Sequence, residues 1–575
     1  MHHRHLASRA VLGAAFALAL APRVASACGG FFCSSVPIDQ SGERVLFGVG
    51  DGTVHAEIQI FYQGEAEKFS WVLPLPAEPT AIGVGSDTVF RILEQQTNPQ
   101  FQLQWPNQNG CYYSNGWLSD ADGGAPSAGG GEQNEGKGVE VLQSGDVGPF
   151  NFAVVKAESA GQDGADAMYQ WLDDNGYDQP EYAKALIGTY VAENHVFVAV
   201  KLQKDKAAGD IQPLTLDYPF FGGCVPLRLT SIAATPDMPV WAYILGDKRA
   251  VPVNFFHVQL DEAQADWLQW SNYYGAVSDG YKAMAAKAVD TAAGRAFLTE
   301  YAGDTNGFKG LFYKPGLYDL TALKTIATPW EYVSQLQTSG LSGSALMLSI
   351  FQTHIPKPAS VTDEDTAFYN NLSSYQDALA GQPFDAAAMT EDIEAQVIEP
   401  LKKAQAVFDQ FGYLTRLFTV MSAEEMSRDP IFLFNADLPN VSNVHTAVAK
   451  AICDPGQNQA KQVEVTLADG QVLTYDVPDN FGPPVLTGDA VGGSPVKTIE
   501  RMYTQGPADV VAPASVASVD QDFESITIGL LVAANSRPTI VRPAVPASSG
   551  SGSSGCSAAQ SGSPAAFGLA LALAG

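Results

Sequence analysis

"RVLFGVGDGTVHAEIQIFYQ" (residues 44–63) alternates apolar and polar side chains on either side of a Gly-Asp-Gly turn. Val54, Ala56, Ile58, Ile60 and Tyr62 point one way, and His55, Glu57 and Gln59 the other. A period of two is the mark of a strand with one buried face, and Asp-Gly between two such runs is a hairpin turn. A third run, "KFSWVLPL" (68–75), ends among Pro74 and Pro76. The folded chain is therefore expected to start as an antiparallel meander. Ser86 is placed to cap a short helix that carries Val89, Ile92 and Leu93 on one face.

More strands are expected in "VEVLQSGDVGPFNFAVVKA" (139–157), "HVFVAVKL" (195–202), "VPLRLTSI" (225–232) and "MPVWAYIL" (238–245). Residues 119–138, rich in Gly, Ser and Asp, read as a flexible loop. Met168–Asp174 reads as a helix, with Gly176 just past its end. Further on, "YKAMAAKAVDTAAGRAFLTEYAG" (281–303) is Ala-rich and reads as helix up to Gly303. "MTEDIEAQVIEPLKKAQAVFDQFGYLTRLF" (389–418) continues that style, with a kink or boundary at Pro400, and Ser422–Glu425 is a capping box. "QVEVTLADGQVLTYDV" (462–477) is a hairpin. The expected class is α+β. A β-rich domain spans 28–254 and a mainly helical region 255–440. A β-containing part follows over 441–545, then a Ser/Gly linker and short apolar tail over 546–575.

The first 27 residues read as a secretory signal. A polar start with Arg4 and Arg9 precedes the apolar run Val11–Ala21, which is too short to span a bilayer, and Ala25-Ser26-Ala27 suits signal peptidase. Without that leader, 29 basic side chains stand against 62 acidic ones. Such a surface repels phosphate backbones, so nucleic acid is not an expected partner. Export makes disulfides the default for Cys28, Cys33, Cys111, Cys224 and Cys453. Cys28–Cys33 is the favoured pair, because Gly29-Gly30 can take the positive φ of a tight ring. Lipidation of Cys28 is the alternative. It is ranked second, since Ala25 stands where a lipobox has Leu.

Several stretches together, "ACGGFFC" (27–33), "FSWVLPLP" (69–76), "WLDDNGY" (171–177), "VPLRLTSIAATPDMPVWAYIL" (225–245) and "LTRLFTVMSAEEMSRDPIFLFNADLPNVSNVHTA" (414–447), resemble a bacterial family called domain of unknown function 2330. The resemblance implies an exported protein and carries over no catalytic residue. The tail around Cys556 resembles a MYXO-CTERM sorting signal, which implies attachment at the cell surface through Cys556. The arginine cluster that normally ends such a signal is missing here.

No local motif carries chemistry. His445 and Cys453 in "HTAVAKAICD" lie eight apart, about 12 Å if helical, too far for a thiolate pair. Ser342 and Ser344 lack a nucleophile elbow. His55, His195, His257, His354 and His445 show no zinc spacing. Asp120 and Asp122, or Asp173, Asn175 and Asp178, offer oxygen ligands to calcium, but neither set has a twelve-residue loop ending in Glu. Calcium is thus the one cation with candidate ligands, and no cofactor is otherwise expected. Trp267 and Trp270, three apart, can share an inward helix face. Aromatic clusters such as "FFHVQL" (255–260) suit either a core or a contact face. The expected role is a non-catalytic cell-envelope protein that binds another envelope component or serves as a scaffold. The alternative is an envelope hydrolase assembled from distant residues. Converging His, Asp, Glu or Cys in a cleft would favour the hydrolase.

Overall fold

The structure, a computed structural model, describes residues 39–63, 70–106, 110–113, 138–177, 180–203, 212–271, 279–341, 345–478, 483–488, 490–532 and 539–542. Strands β1 (Asp39–Gly50) and β2 (Thr53–Gln63) form the hairpin expected from the alternation. They turn through Asp51 and Gly52, both at positive φ (52° and 74°), as a two-residue turn between twisted strands requires. Val54, Ala56, Ile58 and Ile60 are buried, but so is Glu57 on the opposite face. The chain at Gly85-Ser86 closes over it. The Ser86 backbone N–H donates to Glu57 Oε1 at 3.0 Å, and a Cβ at position 85 would lie 2.0 Å from that oxygen, so only glycine passes there.

Next along the chain come β3 (Ser70–Leu75), β4 (Ala81–Val84), β5 (Gln100–Gln104), β6 (Val139–Val147), β7 (Phe150–Ala157), β8 (Val196–Leu202), β9 (Leu214–Pro219), β10 (Gly223–Cys224) and β11 (Met238–Gly246). The second half contributes β12 (Arg249–Pro252), β13 (Phe256–Leu260), β14 (Ala296–Asp304), β15 (Tyr413–Met421), β16 (Ile431–Asn435) and β17 (Val444–Cys453). The last strands are β18 (Ala460–Thr466), β19 (Val472–Asp476), β20 (Val485–Thr487), β21 (Val496–Arg501) and β22 (Asp509–Val510). Ten strands form one sheet in the order β22-β21-β13-β14-β15-β11-β1-β2-β9-β4. Its β1–β11 and β13–β14 pairs are parallel. This sheet takes strands from all three stretches that the sequence divides at 254 and 440. A five-stranded sheet, β20-β19-β18-β17-β5, holds the expected "QVEVTLADGQVLTYDV" hairpin. A four-stranded sheet, β3-β8-β7-β6, packs Val155 and Phe197 against the helices Gln162–Asp174 and Ala183–Ala192 through Met168, Trp171 and Ile187. The fold is α+β, with its helices concentrated in the middle of the chain.

Local signals explain several helix ends. Ser86 Oγ accepts from the Thr88 N–H and caps the helix Asp87–Thr97. Gly176, at φ 66°, ends the helix Gln162–Asp174. Pro400 sits at the start of the helix Glu399–Gln410, just after a π turn over Glu394–Ile398, where a missing N–H is best tolerated.

Four expectations need correction. The Ala-rich helix stops at Thr291, and 296–304 is strand β14. Ala293 and Gly294 at φ 60° and 70° reverse the chain, and Phe297, Thr299 and Tyr301 favour extended backbone. "YLTRLF" is likewise strand β15, buried between β14 and β11. "VPLRLTSI" is a single helical turn, Leu227–Thr230, which follows Pro226. The Ser422–Glu425 box makes its reciprocal bond, Ser422 N–H to Glu425 Oε2 at 2.8 Å, yet it closes a turn and starts no helix.

Cys111 and Cys453, 342 residues apart, form a disulfide. It fastens the segment after β5 to the end of β17, beside the Tyr112–Gln459 bridge. Among the described residues Cys224 is a free, partly covered thiol, whose pKa burial raises. Cys28, Cys33 and Cys556 lie outside the described residues. Replacing Cys111 and Cys453 together by serine should lower stability by about 2–4 kcal/mol, because so long a loop is then free to open in the unfolded chain. Paired urea titrations of oxidised wild type and the double variant check this.

Candidate functional site

β13 and β14 are joined through the helix Asp279–Thr291, yet they pair in parallel only at Phe256–Ala296 and His257–Phe297. A cavity of about 520 Å³ lies beyond the point where this pairing stops. Register shifts between Gln259 and Leu260, and between Thr299 and Tyr301, accompany the parting of the strands. Consecutive residues His257–Leu260 and Leu298–Glu300 therefore all line the cavity, where regular strands would hide every second one. Open sheets bind ligands in such a crevice, past the carboxyl ends of parallel strands. Phe101, Trp270, Tyr281 and Met284 make an apolar wall. The rim is formed by 439–442, Lys497 and the β18–β19 turn at Ala468-Asp469.

Glu500 on β21 stands directly opposite His257 on β13. His257 Nδ1 is 2.9 Å from Glu500 Oε2, and its Nε2 is 3.0 Å from Thr299 Oγ1. The Thr299 backbone N–H also donates to Nε2 at 3.2 Å. An Nε2 that accepts this bond carries no proton, so the proton sits on Nδ1 and is donated to Glu500. The other Glu500 oxygen accepts from Gln259 Nε2 at 2.8 Å and Thr498 Oγ1 at 3.2 Å. Burial lowers the imidazole's basicity, and the Glu500 carboxylate only partly restores it. Burial would raise Glu500, but the hydrogen bond and charge of His257, with help from Thr498 and Arg249, bring it below the usual carboxyl value.

Arg249, 6% exposed, donates from Nη2 to Thr299 Oγ1 at 3.2 Å and from Nη1 to the Pro439 carbonyl at 3.0 Å. Its buried Nε has no hydrogen-bond partner among the described residues. Across the cavity, His445 Nδ1 lies 2.7 Å from Glu262 Oε1, and its ring stacks on Phe101 at 4.8 Å. Deeper still, Glu300 Oε2 is 2.6 Å from Arg416 Nε, both side chains being sealed from solvent. That contact is an ion pair without hydrogen-bond alignment.

The candidates read from the sequence scatter. "HTAVAKAICD" is strand, with Ala447, Ala449 and Ala451 inward, so His445 and Cys453 are further apart than a helix would put them, and Cys453 is spent in the disulfide. His55 pairs with Asp217 at 2.6 Å, His354 with Asp392 at 2.7 Å, and His195 lies 3.7 Å from Glu193. Among the described residues, no group of three His, Cys, Asp or Glu could hold a metal ion. Asp173 lies in the last turn of a helix that Asn175 caps, the Asn175 side-chain amide donating to the Trp171 carbonyl. Asp120, Asp122, Asp178, Ser342 and Ser344 lie outside the described residues. Trp267 and Trp270 are buried together, with ring centres 5.1 and 5.0 Å from Phe101. Phe255 and Phe256 are core. Of the candidate histidines described, His257 and His445 reach the cavity, and Trp270 and the "HVQL" part of the 255–260 stretch line it too. Thr299, Glu500, Arg249, Glu262 and Glu300 were not singled out, since 42 and 243 residues separate His257 from Thr299 and Glu500.

Residues 22–368 match a family model described as an uncharacterized protein conserved in bacteria, DUF2330. Glu500, His445, Lys497 and the rim at 439–442 lie outside the matched segment. No curated protein and no solved structure matches the chain.

Proposed function

We propose, starting from a chain that belongs to the DUF2330 family, that this is an exported cell-envelope protein that holds a small neutral or zwitterionic organic molecule in the cleft beside β13 and β14. The observation that carries this reading is the cavity itself. About 520 Å³ with an aromatic wall and a few convergent polar groups is the usual form of a small-molecule site. Most charges around it are paired: Arg416 with Glu300, Lys497 with Asp469, and Arg249 with the Glu500 carboxylate behind His257, while Glu262 faces His445, which balances it only when protonated. A strongly charged ligand, an anion above all, would find little net counter-charge. The leader and the Cys111–Cys453 disulfide support export, because such bonds persist in oxidising compartments. The tail around Cys556 supports attachment at the surface. The ligand is then a soluble component of the envelope.

Ala468 is exposed at the rim, in a turn that tolerates a larger side chain. Screening a library of neutral small-molecule fragments by saturation-transfer NMR should give binders for the wild type. Ala468→Trp should weaken those binders at least about tenfold while the fold stays intact, since a blocked mouth costs more than 1.4 kcal/mol of binding. Absence of any binder, or unchanged binding to Ala468→Trp, would remove this reading.

A further inference from the structure

We propose that Thr299, His257 and Glu500 form an acyl-transfer site in this cleft, which cleaves a neutral carboxylic ester or amide with Thr299 Oγ1 as nucleophile. The proposal rests on the reading that the cleft admits a small molecule, and it assigns that molecule a chemistry.

The three groups are connected by bonds that all run in one direction. Arg249 Nη2 donates to Thr299 Oγ1, Oγ1 donates to the unprotonated Nε2 of His257, and Nδ1 donates to Glu500. A hydroxyl, a base within hydrogen-bond reach and a third group orienting that base are what an activated nucleophile requires. The backbone N–H of Thr299 selects the tautomer that leaves Nε2 able to accept the hydroxyl proton. Three features point to a reactive site over a plain structural network. The strand carrying Thr299 bulges against β15 at that point, which turns Thr299 and Glu300 together into the cavity. Thr299 is only partly covered, while its partners His257 and Arg249 are buried. And the Arg249 guanidinium lines the cavity beside Thr299 Oγ1, where its positive charge favours a developing oxyanion.

The chemistry balances without a cofactor. Thr299 Oγ1 attacks the acyl carbon and its proton passes to His257 Nε2. Glu500 stabilises the imidazolium, and Arg249 faces the oxyanion. The C–O or C–N bond to the leaving group breaks, and that group takes the proton from Nε2. Water then gives a proton to Nε2, attacks the acyl-threonine ester and releases the acid, which restores the Thr299 hydroxyl.

The test uses the mature full-length protein and a fluorophosphonate probe, with p-nitrophenyl acetate as turnover substrate. Peptide mass mapping should find the phosphonyl adduct on Thr299. Thr299→Ser should keep labelling and Thr299→Val should lose it. Glu500→Gln, at a positioning residue, should lower kcat by about 10²–10⁴-fold with little change in KM, as loss of the orienting carboxylate does elsewhere. The wild-type adduct decides the matter even if a variant fails to fold. If no adduct forms, or if it maps elsewhere, the acyl-transfer proposal falls. Fragment binding without an adduct would leave the ligand-binding reading standing; loss of both would end both.

Discussion

Arg416→Met should destabilise the folded protein by about 3–5 kcal/mol, measured as a drop in the urea midpoint at unchanged slope. Arg416 is fully buried on β15, and its neighbours come from remote parts of the chain. Its Nε faces Glu300 on β14. Its Nη1 donates to Asn98 Oδ1 at 2.5 Å and to Thr97 Oγ1 at 3.1 Å, at the end of the helix Asp87–Thr97. Its guanidinium lies 5.5 Å from the centre of the Tyr243 ring on β11. Methionine keeps much of the volume but leaves the Glu300 carboxylate buried without a counter-charge, which is the costly half of breaking a sealed ion pair. Burial already raises Glu300 against the pull of Arg416. Without Arg416 it should hold its proton to higher pH, so the defect should shrink on acidification. Adding Glu300→Leu should restore most of the loss, because replacing both partners by apolar groups removes the unpaired charge. A double variant as unstable as the single one would show that packing, and not charge, is what Arg416 supplies.

Stability should rise as pH falls from 8 to 5 through two glutamates on adjacent central strands. Glu43 and Glu57 are both raised to about 7, chiefly by burial. Glu43 faces Gln40, Thr230 and the charge of Asp429, and Glu57 faces His55, Ser86 and Asp87. The unfolded chain releases these protons near 4.5 and the folded one near 7. Between those values the native state binds more protons. The slope of unfolding free energy against pH is therefore negative, and the stability present below 4.5 is lost as pH rises through 7. At 1.36 kcal/mol per unit, each group weakens the fold by about 3 kcal/mol at pH 8 relative to acid. Buried His195 and His257, lowered chiefly by burial, act in the opposite sense below pH 6.5. The comparison should therefore be with Glu43→Gln and Glu57→Gln. Each should match wild type near pH 5 and exceed it by about 2–3 kcal/mol at pH 8, with urea titrations at both values as the measurement. Equal stability at pH 8 would mean that water already reaches these carboxyls.

The sequence shows local structure where a local cause acts. Asp51-Gly52, Ser86 and Gly176 announce a turn, a cap and a stop, and each operates as expected. β14 was hidden because Ala-rich residues before it set a helical expectation. Gly294, with "AFLTEY" following, was the available signal that the helix had ended. β17 was hidden for a related reason: alanines on its inward face favour helix, although their spacing of two in "TAVAKAI" is strand-like. The cleft is a different matter. His257 meets Glu500 only because β21 returns antiparallel to β13 after 243 residues, and it meets Thr299 only because β14 lies parallel beside it. Sheet order created those neighbours, and no spacing along the chain encodes sheet order. The buried Glu57 carries the same lesson, since its covering comes from Gly85-Ser86 and not from its own strand.

The place of β15 between β11 and β14 has a consequence for biogenesis. A chain leaving the ribosome N-terminus first can assemble β1, β2, β9 and β11 early, and β13 with β14 later. Until Tyr413–Met421 emerges, a strand-wide slot separates these two halves, with bare amide edges on both sides. Such edges invite pairing with other chains. A polypeptide stopped at residue 368, where the family match ends, would carry that slot permanently. The nascent protein should therefore need a guardian until the missing strand slides in.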